Sequence, residues 1–303
     1  MSDIKLFKTT GNKAAELKGS AVALERSLQA LIEKNLEAMM GVRLLASEHY
    51  TGKVHNGRID TLGVDENFFP VIIEYKRATN ENVITQGLYY LDWLMDHQAD
   101  FRMLVMEKLG KESADKVDFS WPRLLCIAGD FSRYDTHAVN QMDRSIELIR
   151  YKHFKEDLLL FEWMNTGEAA PTAGGIAAPK KSGTKQKTFT QYLADLDPAM
   201  QDLYEQVRAF LLAMGDDVQV KVLEQYEAYK RLKNFATVVV YPSNKYVRIY
   251  VRSEPGVIPT IQDLVRDVTN VGHWGTGNVE LTVRSVSDLE AVKSFVLGSY
   301  EQS

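Results

Sequence analysis

Between Thr166 and Phe189 the chain reads TGEAAPTAGGIAAPKKSGTKQKTF, a run of Gly, Ala, Pro, Thr and Lys with almost nothing able to pack. Such a stretch cannot bury enough apolar surface to offset the entropy lost on ordering, so it reads as a flexible linker. Its lysines, Lys180, Lys181, Lys185 and Lys187, read as solubilising charge. Any fold for the 303 residues must then be built twice, once on each side. The expected division is residues 1–165, a linker at 166–189, and residues 190–303. Both flanks are long enough to form a core of their own.

Hydrophobic residues make up 45% of the chain and charged residues 25%, the balance of a soluble globular protein. A net charge of −5 argues against a uniformly basic coat but leaves room for a local basic groove. The lone cysteine, Cys126, sits in the apolar run Leu124-Leu125-Cys126-Ile127-Ala128 and reads as a buried structural thiol. The N-terminal MSDIKLFKTTGNKAAELKG lacks an apolar core of signal-peptide length. No stretch approaches the roughly 20 apolar residues of a membrane span. The expectation is a cytoplasmic protein without a membrane partner. The six histidines (His49, His55, His97, His137, His153, His273) show no paired ligand spacing, so no zinc site is expected. Neither a GxSxG elbow nor a GxGxxG dinucleotide loop is present.

Before the linker the pattern mixes α and β. Leu24, Leu28, Leu31 and Leu36 predict a helix over about 21–40, ending near Gly41. Strands are expected at 42–46, at 57–64 and through Val71-Ile72-Ile73, with Asp65-Glu66-Asn67 turning between the last two. A helix over 81–97, a buried strand at 123–128, a helix around 135–147, and strands near 148–153 and 157–163 follow. This order gives a three-layer α/β core with helices on the faces of a sheet. After the linker, a helix near 198–214, strands near 235–241, 246–252 and 279–284, and a closing helix at 287–300 form a smaller α+β domain.

The segment Arg58-Ile59-Asp60-Thr61-Leu62-Gly63-Val64, a turn, then Val71-Ile72-Ile73-Glu74-Tyr75-Lys76-Arg77 carries the chemistry. Side chains alternate along a strand, so Glu74 and Lys76 point together and Tyr75 points away. A hairpin about Asn67 sets Asp60 opposite Glu74. Two carboxylates and an ammonium then converge, an oxygen-rich surface suited to Mg²⁺. A cation so held acidifies a water and neutralises charge growing on a phosphate, and a neighbouring lysine stabilises the transition state. The residues alone leave a second reading open: a strand leaving the core, with Glu74 and Lys76 solvated or weakly paired. On the next helix, Gln86 and Tyr90 share a face continued by Trp93 and His97, and a polar Gln there needs a partner.

The run GRIDTLGVD…VIIEYKR followed by QGLYY resembles the PD-(D/E)XK nuclease superfamily, especially its NucS-like branch, over roughly residues 20–165. The resemblance implies a restriction-endonuclease-like three-layer core with a central mixed sheet. It implies a Mg²⁺- or Mn²⁺-dependent endonuclease, with Asp60 and Glu74 holding the metal and Lys76 serving the water and transition state. Gln86 and Tyr90 match the Gln-x-x-x-Tyr motif of the RecB-like branch, and Glu25 stands where a first-helix acid completes the site. One departure is the absence of a proline before Asp60. The stretches Lys233-Asn234-Phe235-Ala236, Arg266-Asp267-Val268 and Gly272-His273-Trp274-Gly275-Thr276-Gly277 resemble a domain of unknown function found beside such nucleases.

The expected partner is nucleic acid, DNA before RNA, gripped by Arg58 and Arg77. A homodimer and a protein docked on the C-terminal domain are further expectations. The competing functions are a catalytically silent nucleic-acid-binding module of the same fold and a protein-interaction scaffold. Intact carboxylates favour the enzyme, because a pure binder gains nothing from anions facing phosphates.

Overall fold

The computed structural model describes residues 4–20, 25–76, 83–154, 158–165, 187–254, 261 and 263–303. The chain divides into two compact units, Met1–Ile176 and Ala177–Ser303. The body of the expected linker, 166–186, lies outside the described residues. Its last residues belong to the second unit: Thr188 caps a helix and Phe189 is buried.

The first unit opens with a hairpin of β1 (Leu6–Thr10) and β2 (Lys13–Leu17), then β3 (Gly19–Ser20). Next come α1 (Glu25–Lys34), α2 (Leu36–Met40), β4 (Val42–Tyr50), α3 (Gly52–His55), β5 (Arg58–Asp65) and β6 (Pro70–Lys76). They lead to α4 (Val83–Asp96), α5 (Gln98–Leu109), α6 (Lys111–Asp115) and β7 (Arg123–Ala128). The unit closes with α7 (Arg133–Asn140), β8 (Ser145–Phe154) and β9 (Leu158–Trp163).

The sheet runs β3-β8-β7-β6-β5-β4, with β9 on β8. Successive turns make β4, β5 and β6 antiparallel, whereas helical crossovers make β6, β7 and β8 parallel. The sheet is therefore mixed, as expected. Alternation along β6 sorts its side chains between two cores. Val71, Ile73 and Tyr75 pack with Leu28, Ile32 and Leu36 of the first two helices. Ile72 packs with Tyr90, Leu94, Phe101 and Val105 of α4 and α5. Three layers result, and the central residues of β6 (Val71–Ile73) and β7 (Leu124–Ala128) are apolar on both faces, as strands inside a parallel sheet must be. At the start of β7, Arg123 is enclosed between Asp65 (3.2 Å) and Glu147 (2.6 Å). A buried guanidinium needs both anions, since either alone leaves donors unmatched.

Several expectations shift. The single helix over 21–40 is two, because Asn35 turns its amide onto the Leu31 carbonyl at 2.9 Å and α2 restarts after it. The helix expected to 147 stops at Asn140, and Ser145 already begins β8, where Ile146 and Leu148 alternate into the core. In this unit the sequence reading missed β1, β2, β3, α3, α5 and α6.

The second unit contains α8 (Phe189–Ala194), α9 (Pro198–Leu212), β10 (Gln219–Val222), β11 (Glu227–Lys230) and β12 (Asn234–Tyr241). A 3-10 turn at Pro242–Asn244 leads to β13 (Tyr246–Val251), β14 (Val265–Asp267), β15 (Val279–Val283) and α10 (Val286–Glu301). Among the described residues its six strands are all antiparallel, in the order β10-β11-β12-β13-β15-β14. One face, with Val238, Val240, Val247, Ile249 and Leu281, packs on Val207 and Leu211 of α9 and Val292 and Val296 of α10. Among the described residues, no helix of either unit is long and apolar enough to cross a membrane.

Candidate active site

The β5–β6 ladder pairs Val64 with Pro70 through Thr61 with Ile73, so the next positions out are Asp60 and Glu74. There the ladder ends and the carboxylates take over its backbone donors. The Asp60 amide donates to Glu74 Oε1 at 3.2 Å, and the Tyr75 amide donates to Asp60 Oδ2 at 3.0 Å. The hairpin register expected from the sequence is the one found.

Glu74 is 0% exposed, which excludes the reading of a solvated residue on a strand leaving the core. Its second oxygen, Oε2, is buried without a hydrogen-bond partner. Burial first, and the neighbouring Asp60 charge second, push its carboxyl up to about 9, although Lys76 pulls the other way. A buried acid with an orphaned oxygen beside a second carboxylate costs stability. Sites that hold cations tolerate that cost. Lys76 closes β6, half-buried, on the same face as Glu74 by strand alternation and beside Ala128 of β7.

Gln86 does not reach the sheet edge itself. It donates to Tyr90 Oη at 3.2 Å, and that oxygen accepts the Arg58 amide at 3.1 Å, so the motif ties α4 to the start of β5. Gly57 lets the tyrosine ring approach: a Cβ there would lie 2.5 Å from Tyr90 Cε1. Gly57→Ala is expected to cost about 1–3 kcal/mol through overpacking. Thermal unfolding should fall by several degrees, and an unchanged midpoint would contradict this contact.

Arg58 is exposed (60%) and lies 3.6 Å from Glu48, a surface pair that contributes little to stability. Arg77 and the side chain of Glu25, which opens α1, lie outside the described residues.

Two site residues escaped the sequence reading. Gln29 Nε2 donates to the Asp60 carbonyl at 2.8 Å and to Glu33 Oε1 at 3.1 Å. Glu33 Oε1 also accepts the Thr61 hydroxyl at 2.6 Å, so α1 clamps β5 at Asp60 and Thr61. The signal was present: Gln29 and Glu33 are a polar pair four apart, beside the apolar Leu28 and Ile32. Histidines without regular spacing also converge. His97 stacks on Trp93 at 4.9 Å, His49 lies 5.2 Å from the same indole, and His55 packs against Tyr89. Among the described residues no group of three or more His, Cys, Asp and Glu is placed to hold a metal. Cys126 is buried, and burial raises its thiol pKa, as a structural cysteine requires.

A family model for a domain of unknown function, DUF5655, matches residues 189–303. An uncharacterized protein of Haemophilus influenzae is 29% identical over 301 residues, covering 97% of this chain and 98% of that protein. A solved repair endonuclease from Pyrococcus abyssi matches at 18% identity and a TM-score of 0.29, over 43% of this chain and 48% of its own. The structure of an EndoMS–dsDNA2 complex matches at 21% identity and a TM-score of 0.25, over 43% of this chain and 47% of its own. The chain thus spans about half the length of the solved chains it matches.

Proposed function

We propose that the first unit is a divalent-metal-dependent endonuclease of restriction-endonuclease-like fold that hydrolyses phosphodiester bonds, in DNA before RNA. The observation that carries this reading is Glu74: fully buried, with one oxygen unpartnered, and held against Asp60 where the ladder stops. Its donor set fits Mg²⁺ or Mn²⁺, hard cations that take carboxylate oxygens and keep several waters. Asp60 and Glu74 would hold the ion, which when bound supplies charge neutralisation and an acidified water. Lys76 contributes a cation beside them for the negative charge that develops on phosphate. Gln86 and Tyr90 fix the start of β5, and Gln29 fixes the Asp60 carbonyl, so the carboxylates are positioned before substrate arrives. Arg58, and Arg77 beyond the described residues, would meet the phosphate backbone.

Asp60→Asn tests the ligand assignment. Mn²⁺ binds the folded state selectively and is expected to raise the native melting temperature by a concentration-dependent amount. The variant should lose that response. An equal shift in both proteins would remove Asp60 from the site.

A further inference from the structure

The helix-free face of the second sheet is not a plain solvated surface. Register sets Val239 opposite Arg248 and Tyr241 opposite Tyr246, and Arg266 opposite Glu280 at the other edge. The Arg248 guanidinium lies over Tyr241 (4.9 Å) and Tyr246 (5.0 Å), with Arg284 over Tyr246 at 5.7 Å. The acid on this face, Glu280, is buried and answered by Arg248 (3.3 Å), Arg266 (3.9 Å) and the Tyr250 hydroxyl (3.1 Å). Its charge is therefore compensated, and the guanidiniums leave the face locally cationic although the whole chain is acidic.

The Gly272–Gly277 loop lies across one part of this face. His273 stacks on Tyr250 at 4.3 Å and 4°, and its ring nitrogens meet the Trp274 and Gly277 carbonyls. Gly275 adopts φ +82°, and a Cβ there would lie 2.1 Å from Thr237 Cγ2, so only glycine allows this close seat. The anchored loop holds Trp274 outward, 47% exposed.

Beside it, β11 stops pairing at Val238, and Val239–Tyr241 have only β13 as a ladder partner. A cleft of about 200 Å³ fills that gap, lined by Tyr192, Gln225, Tyr241, Asn244 and Trp274 among others. It is smaller than the roughly 300 Å³ at which sites for drug-sized ligands begin. The cleft therefore suits one planar ring, with amide groups at hand for its edge.

We propose that this cleft takes a base of single-stranded nucleic acid against Tyr241 and Trp274, while Arg284 meets the adjoining phosphates. Aromatic faces paired with cations are what a single strand needs, whereas a duplex keeps its base faces stacked and out of reach. The choice of ligand rests on the proposed nuclease reading; the geometry of the cleft does not.

The test uses the full-length Asp60→Asn protein, so binding is read without turnover. The probe is a fluorescein-labelled oligothymidylate of about 12 nucleotides, followed by anisotropy, a length within the usual span of such sites. Trp274→Ala is expected to weaken binding about tenfold, Trp274→Phe to retain most of it, and Arg284→Ala to lower the salt slope by about one. The inference is overturned if Trp274→Ala and Arg284→Ala bind as the parent does, or if the parent does not bind the probe. Equal competition by a matched duplex or by polyglutamate also overturns it, since either reduces the face to a general anion patch. None of these outcomes touches metal-dependent cleavage by the native chain, which is measured separately.

Discussion

Glu74→Gln is expected to give a protein that folds better without metal and no longer cuts. The native carboxyl titrates at about 9 in the folded state, against an ordinary value of 4.5, chiefly because it is buried. Between those values the folded chain keeps a proton that the unfolded chain has lost. Stability therefore falls as pH rises through that window and levels out above it. The penalty is on the order of 3 kcal/mol at pH 7, from the distance of that pH above the ordinary value at about 1.4 kcal/mol per unit. Glutamine keeps an oxygen for the Asp60 amide and carries no titrating proton. The gap in melting temperature between variant and native protein, measured in chelator, should be small near pH 4.5 and widen toward pH 9. A pH-independent gap would mean that Glu74 does not carry this proton. Cleavage should disappear, because a neutral amide is a poor ligand for a hard cation.

Lys76→Ala is expected to slow cleavage by about 10²–10³-fold, the scale of one lost charge-stabilising donor. The ammonium acts on charge that develops only in the transition state, so substrate affinity should change far less than the rate. Single-turnover cleavage and equilibrium binding on the same substrate separate the two. A silent binding module would behave oppositely, with no cleavage to lose and weaker, less salt-sensitive binding. The two carboxylates argue against that module, since they repel the backbone it would hold.

The pairing of Asp60 with Glu74 was readable in the sequence because strand alternation and a short turn leave little freedom once the hairpin is recognised. Burial of Glu74 was not, since it depends on the cores that close over both faces of β6. Helix α5 escaped because its apolar residues surround the helix instead of forming a stripe; only Phe101 and Val105 are buried. Strand β11 escaped for a different reason. Its Glu227 looks solvated in sequence but is buried, accepting the Tyr204 and Tyr229 hydroxyls at 2.8 and 2.7 Å, partners that only the folded sheet brings together. The stretch Gly272–Gly277 carried only a resemblance in sequence, and its seat against Thr237 and Tyr250 is what the folded sheet adds.

The central claim is that Asp60, Glu74 and Lys76 form a metal-dependent phosphodiester-cleaving centre. The most direct measurement incubates purified native chain and Glu74→Gln with Mn²⁺ across single-stranded, duplex, branched and mismatched DNA, and matching RNA. The expected result is cleavage of at least one substrate by the native chain, abolished by chelator and absent from Glu74→Gln. No cleavage of any substrate by the native chain, or equal cleavage by Glu74→Gln, would contradict it.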